Sequence, residues 1–216
     1  MCTQYKFSPS AAEITRDVLG LTESFEGSGD SLFPLYSGYV VTEDETRKRA
    51  LNTFQWGLIP PWAKDAKEGR KFVNARIETV HEKPIYRSAF KSRRCLVPAT
   101  GWYEWKQGSQ PKQKYFITPK DNTPFVFAGI WQYWKTKDDT QIGSYCFLTA
   151  EPQGHLGEIH NRMPLFILDP DHQTLWLDAA NDSRDLLYDY ACRGVMRLAV
   201  SPVTPKLDRP DQPTLF

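Results

Sequence analysis

Short apolar runs alternate with polar turns along this chain, and most of the runs have the period-two pattern of strands. Residues 32–41 and 49–58 predict two strands joined by the charged turn 42–48. Further strands are predicted at 72–80, 95–106, 114–119, 124–134, 144–150, 165–168 and 198–203, with hairpin turns at 108–112 and 135–143. Over 72–80 the alternation is clean. Val73, Ala75, Ile77 and Thr79 face one way; Phe72, Asn74, Arg76 and Glu78 face the other. Helical spacing is confined to three segments. In residues 8–19, Ile14, Val18 and Leu19 form a stripe behind a Ser10–Glu13 capping-box spacing. Asp169-Pro170 offers an N-cap and a proline at N1 for a second helix, and 183–192 reads as a third. Residues 23–31 are a Gly/Ser-rich loop, and 59–71 form a long irregular loop carrying Trp62. With no βαβ alternation and no internal repeat, the pattern predicts a single β-rich α+β domain over 1–205, followed by a tail, 206–216.

Composition narrows this little. The 216 residues are 40% hydrophobic and 25% charged, ordinary globular values that exclude a wholly disordered chain. No stretch approaches the roughly 20 apolar residues of a membrane span, and the first twenty residues lack the apolar segment of a secretory signal. A cytoplasmic protein is the expectation. Charge is more informative. The near balance of 27 Lys+Arg against 26 Asp+Glu hides a basic middle, with 14 against 5 between Lys64 and Lys120. Such a segment can present a positive face to a polyanion. No GxGxxG or GxxxxGK[ST] loop is present, which argues against nucleotide enzymes. Cys2, Cys95, Cys146 and Cys192 contain no CxxC pair, so four free thiols are expected, with Cys95 and Cys146 in buried strands. His155 and His160 lack a third ligand at suitable spacing, so no metal and no cofactor is expected.

Three positions carry candidate chemistry. Cys2 follows the initiator Met1, and a small second residue permits Met1 removal. The bared terminus would be a 1,2-aminothiol. Its amine, with an ordinary pKa near 7.7–8.0, is partly neutral at cellular pH and can attack an aldehyde. The thiol can then close a five-membered thiazolidine on the imine carbon. Glu104, in Gly101-Trp102-Tyr103-Glu104-Trp105, shares a strand face with Trp102, and a carboxyl beside an indole has a raised pKa suited to moving protons. His160, in the loop Ile159-His160-Asn161-Arg162-Met163-Pro164, titrates near neutrality. On the polar face of 72–80, Asn74 can orient an amine and Arg76 can grip a phosphate. Other readings of the same residues are a cysteine-type hydrolase or peptidase using Cys2 with His160 as base, and a non-covalent module for single-stranded nucleic acid.

Taken in order, Cys2, the run Asn74–Glu78, Cys95-Leu96-Val97-Pro98-Ala99 with Gly101–Trp105, and Ile159–Pro164 resemble the SOS response-associated peptidase family. Trp56-Gly57-Leu58-Ile59-Pro60 with Trp62 is similar to a further family segment. The resemblance implies twisted, barrel-like antiparallel sheets with a few peripheral helices. It also implies an abasic-site sensor that shields the lesion by crosslinking covalently to abasic single-stranded DNA through a thiazolidine, with Met1 removed by the chain itself in autocatalytic fashion. On that resemblance Cys2 is the nucleophile, Asn74 orients its amine, and Glu104 and His160 move protons. Arg76 and Arg162 hold phosphates, and Trp62 and Trp102 stack on bases. A monomer associated with the nucleoid is implied. The chain departs from the family's Met-Cys-Gly-Arg start, having Thr3 and Gln4 there. At the other end, Gln212, Leu215 and Phe216 resemble the short peptide that binds bacterial sliding clamps.

Overall fold

A computed structural model describes residues 2–25, 31–178, 180 and 184–204. In chain order the elements are β1 (Tyr5–Lys6), α1 (Ala12–Leu19), β2 (Ser37–Glu43), β3 (Arg49–Trp56), β4 (Asn74–Arg76), α2 (Pro84–Ser92), β5 (Arg94–Ala99), β6 (Gly101–Trp105), β7 (Lys114–Pro119), β8 (Phe125–Lys135), β9 (Gln141–Ala150), β10 (Met163–Pro164), β11 (Phe166–Ile167), α3 (Pro170–Leu177), α4 (Arg184–Gly194) and β12 (Leu198–Val203). Four short 3₁₀ segments punctuate them.

The β-rich α+β expectation holds, and the sheets close more fully than alternation alone predicts. β2 pairs with β3 and with β5, β5 with β8, and β8 with β9. A parallel pairing of β9 with β3, Trp56 opposite Tyr145, completes a five-stranded barrel. The all-antiparallel expectation is therefore corrected at two places, because β4 also lies parallel to β9. A second sheet runs β1-β6-β7-β12. Inside the barrel the large aromatics meet edge to face. Tyr5 packs on Trp56, Phe127 and Phe147 at centroid distances of 5.2, 5.9 and 5.2 Å. Such contacts add to the hydrophobic stabilisation of rings already out of water. The Tyr5 hydroxyl meets its partner in Tyr145 at 2.8 Å, so neither buried phenol lacks a hydrogen bond. Cys95 and Cys146 are buried strand thiols, as the apolar runs imply.

Several local expectations shift. The first turn of the 8–19 helix is 3₁₀ over Pro9–Ala11, and Ser10 bonds to Ser8 rather than capping α1. The strand expected at 72–80 is only β4, because the Thr79 N–H turns back onto the Arg76 carbonyl. The 95–106 run breaks at Thr100, whose N–H bonds to Lys6. Helix α2 falls where no element was expected; Pro84 at its first turn presets the helical backbone. Gly57 has φ +124°, and a Cβ there would lie 2.7 Å from the Gly69 carbonyl oxygen, so only glycine lets the Trp62 loop leave β3 this way. No helix among the described residues is long and apolar enough to cross a membrane. Gln212, Leu215 and Phe216 lie outside the described residues.

Candidate active site

The start of the chain is held where three elements meet. β1 pairs antiparallel with β6, Tyr5 opposite Trp102. The ladder continues toward the terminus, with the Tyr103 N–H donating to the Gln4 carbonyl at 2.9 Å. Carried one step further, this register sets the first residues alongside Glu104. From the other side, β4 presents Asn74, whose Nδ2 donates to the Cys2 carbonyl at 2.8 Å. The Asn74 Oδ1 is buried without a protein partner. An acceptor in that state, beside the Cys2 main chain, is placed to receive an N–H.

Cys2 is fully buried. Its Sγ donates to the Gln4 carbonyl at 3.5 Å. Burial pushes the thiol well above its ordinary pKa, and the neighbouring Glu104 charge pushes the same way. At neutral pH the sulfur is therefore a thiol. Glu104 is 4% exposed, on the β6 face that strand alternation assigns it together with Trp102. Burial raises its pKa to about 7, against the opposing pull of the chain's terminal positive charge and a backbone hydrogen bond at Trp105. A carboxyl poised there can both give and take a proton near neutrality.

His160 reaches the same place from the loop before β10. Its Nδ1 accepts the Arg162 N–H at 3.0 Å, and Nε2 lies 3.1 Å from the Gln107 side-chain amide. The Arg162 main-chain donor has a fixed direction, so the neutral ring carries its proton on Nε2, which requires the Gln107 amide to be turned with its oxygen toward the ring. Burial lowers its pKa, and the chain's terminal charge lowers it further, so the imidazole is neutral at pH 7. The Gln107 N–H bonds to Ile159 at 2.9 Å, tying this loop to the turn after β6. A cleft of about 450 Å³ opens beside the two proton carriers, lined by Glu104, Trp105, Lys106, Gln107, Lys112 and His160.

The remaining candidates divide. Trp62 is 61% exposed on a loop braced by the Trp134 Nε1–H, which donates to the Ala63 carbonyl at 3.2 Å. Arg76 is exposed at the end of β4. Trp102 is a correction. It is 1% exposed and packs among Phe125, Phe127 and Phe166 at 5.8–5.9 Å, so it belongs to the core and no base can reach it. Its neighbour Trp105, 49% exposed, is the outward indole of that strand. Strand alternation already separates the two rings: the face that buries Glu104 also buries Trp102. Arg162 is also not free as the motif implies. Its guanidinium grips Glu78 bidentately at 2.8 and 2.9 Å, donates to the Thr149 carbonyl at 2.6 Å, and its side chain is 11% exposed. Gln107 and the Glu78–Arg162 pair were not legible as functional in the sequence; only a fold that brings residues 78, 107 and 160 together reveals them.

Comparisons with known proteins place the chain in a family. The model of the family described as SOS response associated peptidase matches residues 1–210. YoaM of Bacillus subtilis, an abasic site processing protein, is 44% identical over 138 residues, 63% of this chain and 60% of YoaM. HMCES of Xenopus tropicalis, which has the same description, is 32% identical over 157 residues, 62% of this chain and 47% of HMCES. The matches thus span about half to three fifths of these relatives' own length. A crystal structure of a Bordetella bronchiseptica protein superposes with a TM-score of 0.79 at 25% identity, covering 94% of this chain and all of that one. On the family match across nearly its whole length, this chain belongs to the SOS response-associated peptidase family.

Proposed function

We propose that this protein processes abasic sites in single-stranded DNA, crosslinking to them through Cys2 once Met1 has been removed, and so shields the lesion. The observation that carries the reading is the Asn74 grip on the Cys2 carbonyl beside two proton carriers whose pKa values lie apart in character: a carboxyl at about 7 and a neutral imidazole.

The steps balance without a cofactor. The neutral Cys2 amine attacks C1′ of the ring-opened sugar aldehyde, and the carbinolamine loses water as Glu104, protonated, supplies the proton to the departing hydroxyl. Sulfur then adds to the imine carbon. The nitrogen keeps its proton as an iminium through this addition, and the S–H proton returns to the Glu104 carboxylate, closing the thiazolidine with one water released overall. Asn74 Oδ1 accepts the amine N–H and aims the lone pair. His160, neutral with its proton on Nε2, serves ring opening of the sugar and the reverse reaction. A thiol held protonated by burial suits this order, amine first and sulfur second, and argues against a standing thiolate of peptidase type.

DNA contact falls to the exposed groups. Trp62 stacks on a base beside the gap, worth about 1–3 kcal/mol, and Arg76 takes a phosphate. Arg162 contributes to phosphate only by exchanging part of its bonding to Glu78. An abasic nucleotide has no base to unstack, so entry into the cleft is cheap.

The test is intact-mass analysis after mixing the protein with an abasic single-stranded oligonucleotide. A protein lacking Met1 and bearing the oligonucleotide mass less one water, stable to heating, is expected. Retention of Met1, or an adduct on any residue but Cys2, would overturn the reading.

A further inference from the structure

Glu78 has no role in the chemistry above, yet its carboxylate makes a two-pronged contact in the loop that carries His160. It lies two residues beyond β4, which runs beside β9 at Phe147–Thr149. The Thr149 carbonyl accepts the Ile77 N–H at 2.9 Å and the Arg162 Nη2 at 2.6 Å. Glu78 Oε1 and Oε2 close on Nη1 and Nη2 at 2.8 and 2.9 Å. Immediately after Arg162, β10 joins β9, Met163 opposite Ala150. Arg162 is therefore fastened at its side chain by Glu78 and Thr149 and at its main chain by β10. Its own N–H, lying between those two anchors, is the donor to His160 Nδ1.

We propose that Glu78 is a positioning residue for His160: by gripping Arg162 it holds the backbone N–H that fixes the imidazole with Nδ1 as acceptor and the proton on Nε2, on the side of Gln107 in the cleft wall. A fork of two parallel charge-assisted bonds constrains both distance and plane, which a single contact does not. The pair is mostly sheltered on the arginine side, with side chains 11% and 45% exposed for Arg162 and Glu78. The charged groups that line the cleft with His160 are Glu104, Lys106 and Lys112, with Arg162 in its own loop and the terminal charge acting at longer range. The role as proton carrier rests on the crosslinking reading; the tautomer does not.

The experiment is ¹⁵N spectroscopy of the histidine rings in the DNA-free protein, with crosslinking rates against pH for the same variants. The wild type should show His160 as one tautomer, Nε2–H. Glu78→Ala should give both tautomers in comparable amounts, with unchanged thermal unfolding and a crosslinking rate lower by about tenfold. Glu78→Gln, which keeps one acceptor for Arg162, should recover part of both. Glu78→Ala combined with Arg162→Ala should be no slower than Arg162→Ala alone, since the two act through one contact. An unaltered tautomer in Glu78→Ala, additive losses in the double variant, or faster crosslinking by Glu78→Ala would each overturn the proposal. The last result would make Glu78 a competitor that keeps Arg162 from phosphate. A wild type that forms no adduct at all would defeat the crosslinking reading, and the tautomer would still decide this one.

Discussion

The centre around Cys2 and the rim around Trp62 are built on opposite principles. At the centre, Cys2 and Glu104 are 0% and 4% exposed; Glu104 sits in β6 between β1 and β7, and the Asn74 amide holds the Cys2 carbonyl. Low dielectric is what moves the Glu104 carboxyl to about 7 and keeps the thiol protonated. At the rim, Trp62 is 61% exposed and stands on a loop among the exposed cations Lys64, Lys67, Arg70 and Lys71. Those charges stay near water and act through long-range attraction and stacking. The contrast separates chemistry from affinity. Substitutions at the centre should change rates and pH dependence at constant salt sensitivity. Substitutions at the rim should change salt sensitivity at constant pH dependence.

The largest effect belongs to the sulfur. Cys2→Ser keeps the amine and removes the ring-closing thiol, so the heat-stable adduct should disappear and any remaining imine should be trapped only by borohydride. A heat-stable adduct from this variant would break the distinction drawn here, because the stability would then come from elsewhere in the site.

Glu104→Gln comes next. The amide preserves shape and hydrogen bonding but cannot transfer a proton, so the crosslinking rate should fall by about 10²–10⁴. The wild-type inflection near pH 7 should vanish with it. The same carboxyl makes a stability prediction. Its folded pKa, about 7, lies above the unfolded value of about 4.3. The folded state therefore binds the proton more tightly. That contribution is complete below pH 4.3 and is lost as pH rises through 7, roughly 4 kcal/mol in all. Urea unfolding at pH 5 and pH 8 should show the wild type losing stability that Glu104→Gln retains. Equal pH dependence in the two proteins would mean that burial does not set the carboxyl's pKa.

The centre was more legible in the sequence than the rim, for a physical reason. Period-two alternation over Gly101–Trp105 assigns Glu104 and Trp102 to one face, and β6 bears this out; the structure adds that this face is buried. It puts Trp102 on that same face, where a core ring excludes a base, and leaves Trp105 outward. The barrel itself was visible as strands but not as a closed ring. The closing pair, β3 with β9, joins Trp56 to Tyr145 across a long stretch of chain with no local signal. Helix α2 was hidden because Tyr86, Ala89 and Phe90 bury a narrow stripe among Arg87, Ser88 and Lys91, too short a pattern to stand out. The Glu78–Arg162 contact is of the same long-range kind as the closing pair, and no spacing rule reports it.

At the rim, Trp62→Ala should weaken binding to abasic single-stranded DNA by the value of one stacked base, about 1–3 kcal/mol or roughly five- to 150-fold. Once DNA is saturating, the crosslinking rate should match the wild type. A lower saturated rate would move Trp62 from the rim to the centre.

The smallest effect is the most diagnostic of the division. Arg76 is exposed, and in the proposed reading its one charge meets one phosphate. Releasing that contact should lower affinity only a few-fold near physiological salt. It should also flatten the plot of log K against log salt by about 0.7, the counterion release per single-strand phosphate. Trp102→Leu supplies the counterpart. Truncating a ring packed against Phe125, Phe127 and Phe166 should lower the melting temperature, since large core aromatics are worth several kcal/mol, and should leave the salt slope unchanged. An Arg76→Ala slope equal to that of the wild type would take the phosphate contact away from β4. The exposed cations of the Trp62 loop, Lys64, Lys67, Arg70 and Lys71, would then be the next candidates, and each can be removed singly against the same plot.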